Sequence, residues 1–336
     1  MTANRHPDPQ APVAVLGECV ADAFVVPGPA DAPAASLGLE VLPGGGPANT
    51  AVALARLGTR TRFLGRLSTD VFGRLFREHL RSSGVDLGSS VTAAESSTLA
   101  VADLDAEGRA DYSFHAEATA DWQWTGEELA AATAPGMSCL HTGSLALVRP
   151  PGGAAVEDLL ASARERATVS LDPNVRPLLV DPAEYRARLP RWCAAADVLR
   201  LSDDDLAHLL PGASPEQAAD TFHGLGTPLV VITLGPAGVF ASLDGHRLRL
   251  DAPPTEVVDT VGAGDSFMAG FLHALHHDGA LGGRLTGPGS PGSPDRKGRP
   301  GGLDEGTLHA ALTFGLRVAA LTCAVRGANP PWAPLP

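Results

Sequence analysis

Asp259-Thr260-Val261-Gly262-Ala263-Gly264-Asp265-Ser266-Phe267 runs directly into an apolar spacing through Met268, Phe271 and Leu275. A glycine-rich turn that opens a helix leaves first-turn N–H groups unpaired, and these together with the helix dipole attract an anion. Gly262 and Gly264 lack a Cβ, so a polyphosphate can approach the chain closely. The amides of Gly262, Ala263 and Gly264 would then stabilise charge developing on a transferred phosphoryl group. Asp265 stands where a base is needed, because a hydroxyl attacking a γ-phosphate loses its proton and a nearby carboxylate accepts it. Alone, the tetrapeptide reads equally as a tight turn with Asp265 as a cap. No Gly-x-x-x-x-Gly-Lys-Ser/Thr loop and no protein-kinase signature is present, so this turn would have to hold the nucleotide itself.

A second glycine cluster, Leu42-Pro43-Gly44-Gly45-Gly46-Pro47-Ala48-Asn49, leads into an apolar helix over Thr50–Leu57 that Gly58 can close. The pair of motifs resembles the ribokinase-like (PfkB) family of carbohydrate kinases, which carries a Gly-Gly motif near its start and an Asp-Thr-x-Gly-Ala-Gly-Asp motif near its end. Gly17-Glu18 with Asp22, Leu171-Asp172-Pro173-Asn174-Val175-Arg176-Pro177 and Val231-Ile232-Thr233-Leu234-Gly235-Pro236-Ala237-Gly238 follow the order of the bacterial fructokinase branch. The likeness runs from Val13 to Ala328.

The resemblance implies a three-layer α/β/α sandwich over residues 11–330, with a mostly parallel central sheet and a small β-sheet lid. It implies ATP-dependent phosphorylation of a small sugar, fructose first, with 2-keto-3-deoxygluconate or nucleoside kinases and a non-catalytic sugar-binding relative as alternatives. Asp22, Gly44, Gly45 and Asn49 fall at sugar-binding positions, with Arg176 a further substrate or phosphate contact. Asn174, Thr233, Gly235, Gly238 and Thr260 fall on the nucleotide side. Asp205 matches an acid that helps place Mg²⁺ and phosphates, mostly through water, although Ser202-x-x-Asp205 is also close to a capping box. Asp259 matches a position that helps hold a monovalent cation such as K⁺. Two departures stand out. Ala116 replaces an arginine of the fructokinase relatives, removing a cationic fork, and Leu316 replaces an asparagine near the adenine.

Elements able to position these residues can be read from the apolar pattern. Runs at Val13–Leu16, Thr61–Leu64, Ser138–His141, Thr168–Asp172, Val198–Leu201 and Leu229–Thr233 alternate with helical segments, which predicts a parallel α/β sheet. Asp70 before Val71–Leu80 and Thr125-Gly126-Glu127-Glu128 before Leu129 are helix starts. Ala21–Val41 and Ser97–His115 read instead as antiparallel hairpins. In the resembled family such strands, here about 19–43 and 96–116, cover the sugar and support homodimers. A cover matters because admitted water competes as phosphoryl acceptor. The Gly/Pro/Ser-rich insertion over 286–302 cannot bury apolar area and is expected to be disordered.

Composition excludes other classes. The 336 residues are 44% hydrophobic, enough for a large core. A formal charge of −13 with scattered Lys and Arg argues against nucleic-acid and anionic-membrane partners. Cys19, Cys139, Cys193 and Cys323 are far apart, which suits free thiols in a reducing cytoplasm. No apolar run approaches the roughly eighteen residues of a membrane span, and the polar start predicts an unexported cytoplasmic protein. His273 and His277 have the spacing of a metal pair without a third ligand, and Trp122 and Trp124 read as packing residues.

Overall fold

The computed structural model describes residues 11–26, 36–104, 110–285 and 303–335. The expected insertion at 286–302 and the polar start at 1–10 lie outside them. Fourteen strands are described: β1 (Val13–Leu16), β2 (Val20–Val26), β3 (Gly38–Gly44), β4 (Thr61–Leu64), β5 (Arg66–Ser68), β6 (Val91–Ala93), β7 (Thr98–Leu104), β8 (Ala110–His115), β9 (Cys139–Gly143), β10 (Thr168–Asp172), β11 (Val198–Ser202), β12 (Leu229–Thr233), β13 (Val239–Leu243) and β14 (His246–Leu250). The helices are α1 (Gly46–Arg56), α2 (Val71–Ser82), α3 (Gly126–Thr133), α4 (Gly152–Ala163), α5 (Pro182–Ala195), α6 (Asp203–Leu209), α7 (Pro215–Gly224), α8 (Ala263–His277) and α9 (Glu305–Cys323).

All six predicted core strands join one eight-stranded sheet in the order β14-β13-β12-β11-β10-β9-β1-β4. It is parallel from β12 to β4, and β13 and β14 extend it antiparallel. Burial on both faces explains the unbroken apolar runs, since successive side chains point to opposite sides. Ala14 and Leu16 enter the core under α3–α7, whereas Val13 and Val15 pack with α1, α8 and α9. Helices thus cover both faces, giving the three-layer α/β/α sandwich.

The strand order reverses beside β9: β10, β11 and β12 step away on one side, β1 and β4 on the other. Open α/β sheets bind ligands beyond the carboxyl ends at such a point, and here Gly17-Glu18, Gly143, Asp172 and Asn174 leave the sheet. The two segments read as hairpins form one four-stranded sheet, β3-β2-β7-β8, with antiparallel pairs β2–β3 and β7–β8 joined by parallel β2–β7. A third sheet, β5–β6, had no sequence signal.

Local signals act as expected at several helix ends. Asp70 caps α2 by accepting from the Gly73 amide at 2.8 Å, and its other oxygen accepts from the Ser97 amide, tying α2 to the strand pair β7–β8. Thr125 and Glu128 complete a capping box on α3. Gly58, at φ +94°, closes α1 in the left-handed region that glycine tolerates best. The four cysteines are free thiols, Cys323 partly exposed. Among the described residues no helix is long and apolar enough to cross a membrane.

Candidate active site

Two helix N-termini converge on Asp265. Gly262 is the N-cap of α8 at φ +76°, so Asp265 occupies the third helical position, and α1 begins beside it behind Gly45 at φ +101°. Asn49 donates from Nδ2 to Asp265 Oδ2 at 2.9 Å, and Thr50 Oγ1 reaches the Asp265 carbonyl at 3.4 Å. The Cβ missing from Gly46 would lie 2.8 Å from Asn174 Nδ2 and 3.1 Å from Asp265 Oδ1, so these side chains share one corner. Asn174 keeps a left-handed φ of +42°, costly backbone of the kind held at functional sites.

Asp22 on β2 lies against Gly44, where any Cβ would overlap its carboxylate. A Cβ on Gly45 would meet the Glu18 carbonyl at 2.6 Å. The glycine cluster therefore brings α1 close beneath β1 and β2. Arg176 is exposed, and its charge acts on Glu18, Asp22, Asp172 and Asp265.

Beyond α8's N-terminus lies a cavity of about 630 Å³. Arg200, Thr233, Gly235, Gly238, Thr260 and Gly264 form polar parts of its wall, and Pro253, Val257, Phe267, Leu316 and Ala320 form apolar parts. Of the residues expected on the nucleotide side, Thr233, Gly235, Gly238 and Thr260 line this cavity; of the expected amide run, Ala263 and Gly264 line it and Gly262, which faces Ala328, does not. Asn174 instead stands with Asp265 and Gly46.

Asp205, expected to help place Mg²⁺ and phosphates mostly through water, is turned inward. It is buried, its Oδ1 accepts from the Val175 amide at 2.6 Å, and its Oδ2 accepts from the Ser202 amide and hydroxyl. The capping box supplies the physical reason: an acid three residues past an N-cap serine satisfies backbone donors first. Asp203, exposed on the first turn of α6, is the carboxylate on the cavity wall. Asp259 similarly spends Oδ1 on the Val261 amide and Oδ2 on the Gly327 amide, latching the loop before α8 to the C-terminal segment.

Four charged residues here were given no role by the sequence. Arg200 and Asp172 form a buried ion pair at 2.6 Å, with Arg200 Nη2 also donating to Thr233 Oγ1 at 2.6 Å. Glu18 is 2% exposed and pushed up to about 7, mainly by burial, with Ser144 opposing. Asp121 is equally buried and accepts from the Cys19 amide and Thr98 Oγ1. The available signal was a charged residue inside or beside a buried strand.

Burial also pushes the Asp265 carboxyl up to about 6, with Asn49, Arg176 and Arg200 opposing and Asp172 assisting. A base must be ionised to accept a proton. With Asp265 as the base the sequence suggests, turnover should fall through an acid limb with an apparent pKa near 6, well above the ordinary 3.8 of an aspartate. A pH profile of kcat/KM checks this; a limb near pH 4 would contradict it.

Position 116 is closed off. Ala116 is buried, and its carbonyl accepts from Trp122 Nε1 at 2.9 Å and from Arg149 Nη2 at 3.2 Å. Trp122 and Trp124 are core residues. His273 Nδ1 pairs with Thr59 Oγ1 at 2.8 Å, and among the described residues no group of three or more His, Cys, Asp or Glu could hold a metal.

Known proteins resemble this chain over most of its length. Fructokinases of Rhizobium leguminosarum bv. trifolii and Klebsiella pneumoniae are 35% and 37% identical, over 78% and 69% of this chain and 80% and 76% of their own. The crystal structure of a Vibrio cholerae fructokinase with fructose, ADP and calcium bound aligns with TM-score 0.76 at 25% identity, covering 96% of this chain and 95% of that one. An ATP-bound fructokinase of Xylella fastidiosa shares the fold at TM-score 0.79 and 24% identity, over 94% and 93% of the two chains. The model of the pfkB family of carbohydrate kinases matches residues 10–334, and the chain belongs to that family.

Proposed function

We propose that the chain transfers the γ-phosphoryl group of ATP to a hydroxyl of a small sugar, with fructose as the acceptor. One observation carries this: Asp265 shares a corner with Asn49 and Asn174, next to the glycine cluster that Asp22 packs against, while the start of its own helix, Ala263 and Gly264, lines the cavity. A polyol there finds carboxylates as acceptors and amides as donors. A nucleotide in the cavity presents its terminal phosphate to the α8 amides, and its base meets the apolar wall.

The acceptor hydroxyl gives its proton to Asp265 as its oxygen attacks phosphorus, and ADP leaves with the electrons of the broken P–O bond. The Asn49 hydrogen bond aims the carboxylate. Nucleotide-borne Mg²⁺ neutralises phosphate charge when bound. Asp203 is the cavity-wall carboxylate able to meet its hydration shell, whereas Asp205 supports the backbone. A monovalent cation, K⁺, would draw on the loop that Asp259 latches rather than on its already engaged carboxylate.

The segments at about 19–43 and 96–116, which carry β2, β3, β7 and β8, act as a lid within a single kinase domain over 11–330, with Asp22 carrying lid position into the site. Phe24, Leu42, Tyr112 and Phe114 fall on the sheet face that carries Asp22, and Leu42 and Tyr112 are exposed. A second copy of the chain covers that face in a homodimer. Free thiols suit a cytoplasmic enzyme.

The test is a panel of fructose, other hexoses, ribose, 2-keto-3-deoxygluconate and a nucleoside, each with MgATP, scored by ADP release and by the rise in melting temperature. Fructose should give the highest kcat/KM and a clear stabilisation. Silence across the panel, or a decisive preference for another acceptor, would overturn the assignment.

A further inference from the structure

Arg200 is a buried cation that the transfer step above leaves without a task. It sits in the middle of β11, in the run Val198-Leu199-Arg200-Leu201, with a side chain only 7% exposed. Burying a guanidinium in a sheet is expensive unless its donors are engaged. Of its five N–H donors, Nη1 supplies one to Asp172 and Nη2 one to Thr233, and Nε has no partner among the described residues. An arginine kept only for stability would be better satisfied.

Its placement supplies a reason. The guanidinium lies against the first turn of α8, where a Cβ on Gly264 would come within 2.8 Å of Nη2 and 2.9 Å of Nη1. It lines the nucleotide cavity with Thr233 and Gly264, while Asp172, at the end of β10, holds its Nη1. Its charge also acts on Asp265. Arg200 thus spans the boundary that a transferred phosphoryl group must cross.

We propose that Arg200 is a catalytic residue whose free Nη1 and Nη2 hydrogens bind the γ-phosphoryl oxygens and hold their charge through the transition state, with Asp172 as its positioning residue. This rests on the kinase reading. The γ-phosphorus bond to the bridging oxygen breaks as the acceptor oxygen bonds to phosphorus, the proton goes to Asp265, and Arg200 stays protonated throughout. Burial works against its charge, but Asp172 and Asp205 outweigh burial and retain the proton. Neutral amides supply dipoles at this helix terminus; Arg200 adds a full charge where negative charge accumulates.

Calorimetric binding of ADP and of the non-hydrolysable ATP analogue AMP-PNP, with turnover on MgATP and D-fructose, tests this in the parent, Arg200→Gln and Arg200→Lys. A group that binds the γ-phosphate separates the two nucleotides. Arg200→Gln should bind ADP within about threefold of the parent but lose roughly tenfold or more in AMP-PNP affinity. Its kcat should fall by ~10²–10³-fold, and Arg200→Lys should recover part of that loss. An unchanged AMP-PNP to ADP preference in Arg200→Gln would overturn the proposal. If Arg200→Gln fails to fold because Asp172 is left unpaired, Asp172→Asn/Arg200→Gln removes both charges and carries the same comparison. A parent without turnover would sink the kinase reading, while the nucleotide preference would still decide the role of Arg200.

Discussion

Asp265→Asn is expected to abolish measurable turnover and to make the protein more stable. The amide keeps the size and the Asn49 contact but cannot accept the acceptor's proton, and loss of a positioned base lowers kcat by ~10²–10⁴-fold. The stability gain follows from linkage. The folded-state pKa of Asp265 is raised from 3.8 to about 6, so its stabilising contribution is complete below the unfolded value and is lost as pH rises through 6. At pH 8 the parent holds this carboxylate ionised in a buried site, at a cost of at most about 3 kcal/mol that the amide avoids. Melting curves of parent and variant should differ at pH 8 and converge toward pH 4. Retained turnover would remove Asp265 from the reaction, and a less stable variant at pH 8 would show the charge to be well compensated.

Gly264→Ala discriminates between two accounts of the glycine-rich turn by the sign of its effect. Gly264 lies within α8 with ordinary helical backbone, so propensity alone predicts a gain of roughly 1 kcal/mol from alanine. The contact predicts the opposite. An added Cβ would come within 2.8, 2.9 and 3.2 Å of Arg200 Nη2, Nη1 and Cζ, and the guanidinium cannot simply swing aside because Asp172 and Thr233 hold both ends. Overpacking of this kind costs about 1–3 kcal/mol, and displacing the charged group beside the phosphate site should lower kcat by at least ~10-fold. A variant that melts higher than the parent with full activity would show that the turn needs no space at this position.

The same residue shows how far the sequence could be read. Glycines at 262 and 264 suggested close approach by a phosphate; the atoms nearest a Gly264 Cβ belong to Arg200, and those nearest a Gly262 Cβ belong to Ala328. Local sequence shows that space is needed and not what fills it. The core strands were legible because each is a short apolar run buried on both faces, and the helix starts because a cap and its partner are three residues apart. Arg200 and Asp172 lie 28 residues apart and meet only through the adjacency of β10 and β11. Neither position carries a periodic signal, so the pair stayed hidden inside runs read as core. Asp205 illustrates the converse: the motif led to a metal-placing acid, while the local competition among backbone donors turned it inward. The small sheet was legible as two hairpins, but the β2–β7 pairing that unites them joins segments far apart in sequence.

The phosphoryl group should pass to a sugar hydroxyl poised on Asp265 and not to water. Following the phosphorus during turnover with MgATP and D-fructose tests it most directly, with phosphorus NMR resolving sugar monophosphate, ADP and inorganic phosphate in one sample. Sugar monophosphate should accumulate mole for mole with ADP while inorganic phosphate stays at background. Inorganic phosphate rising with ADP, or ATP remaining intact, would contradict the account.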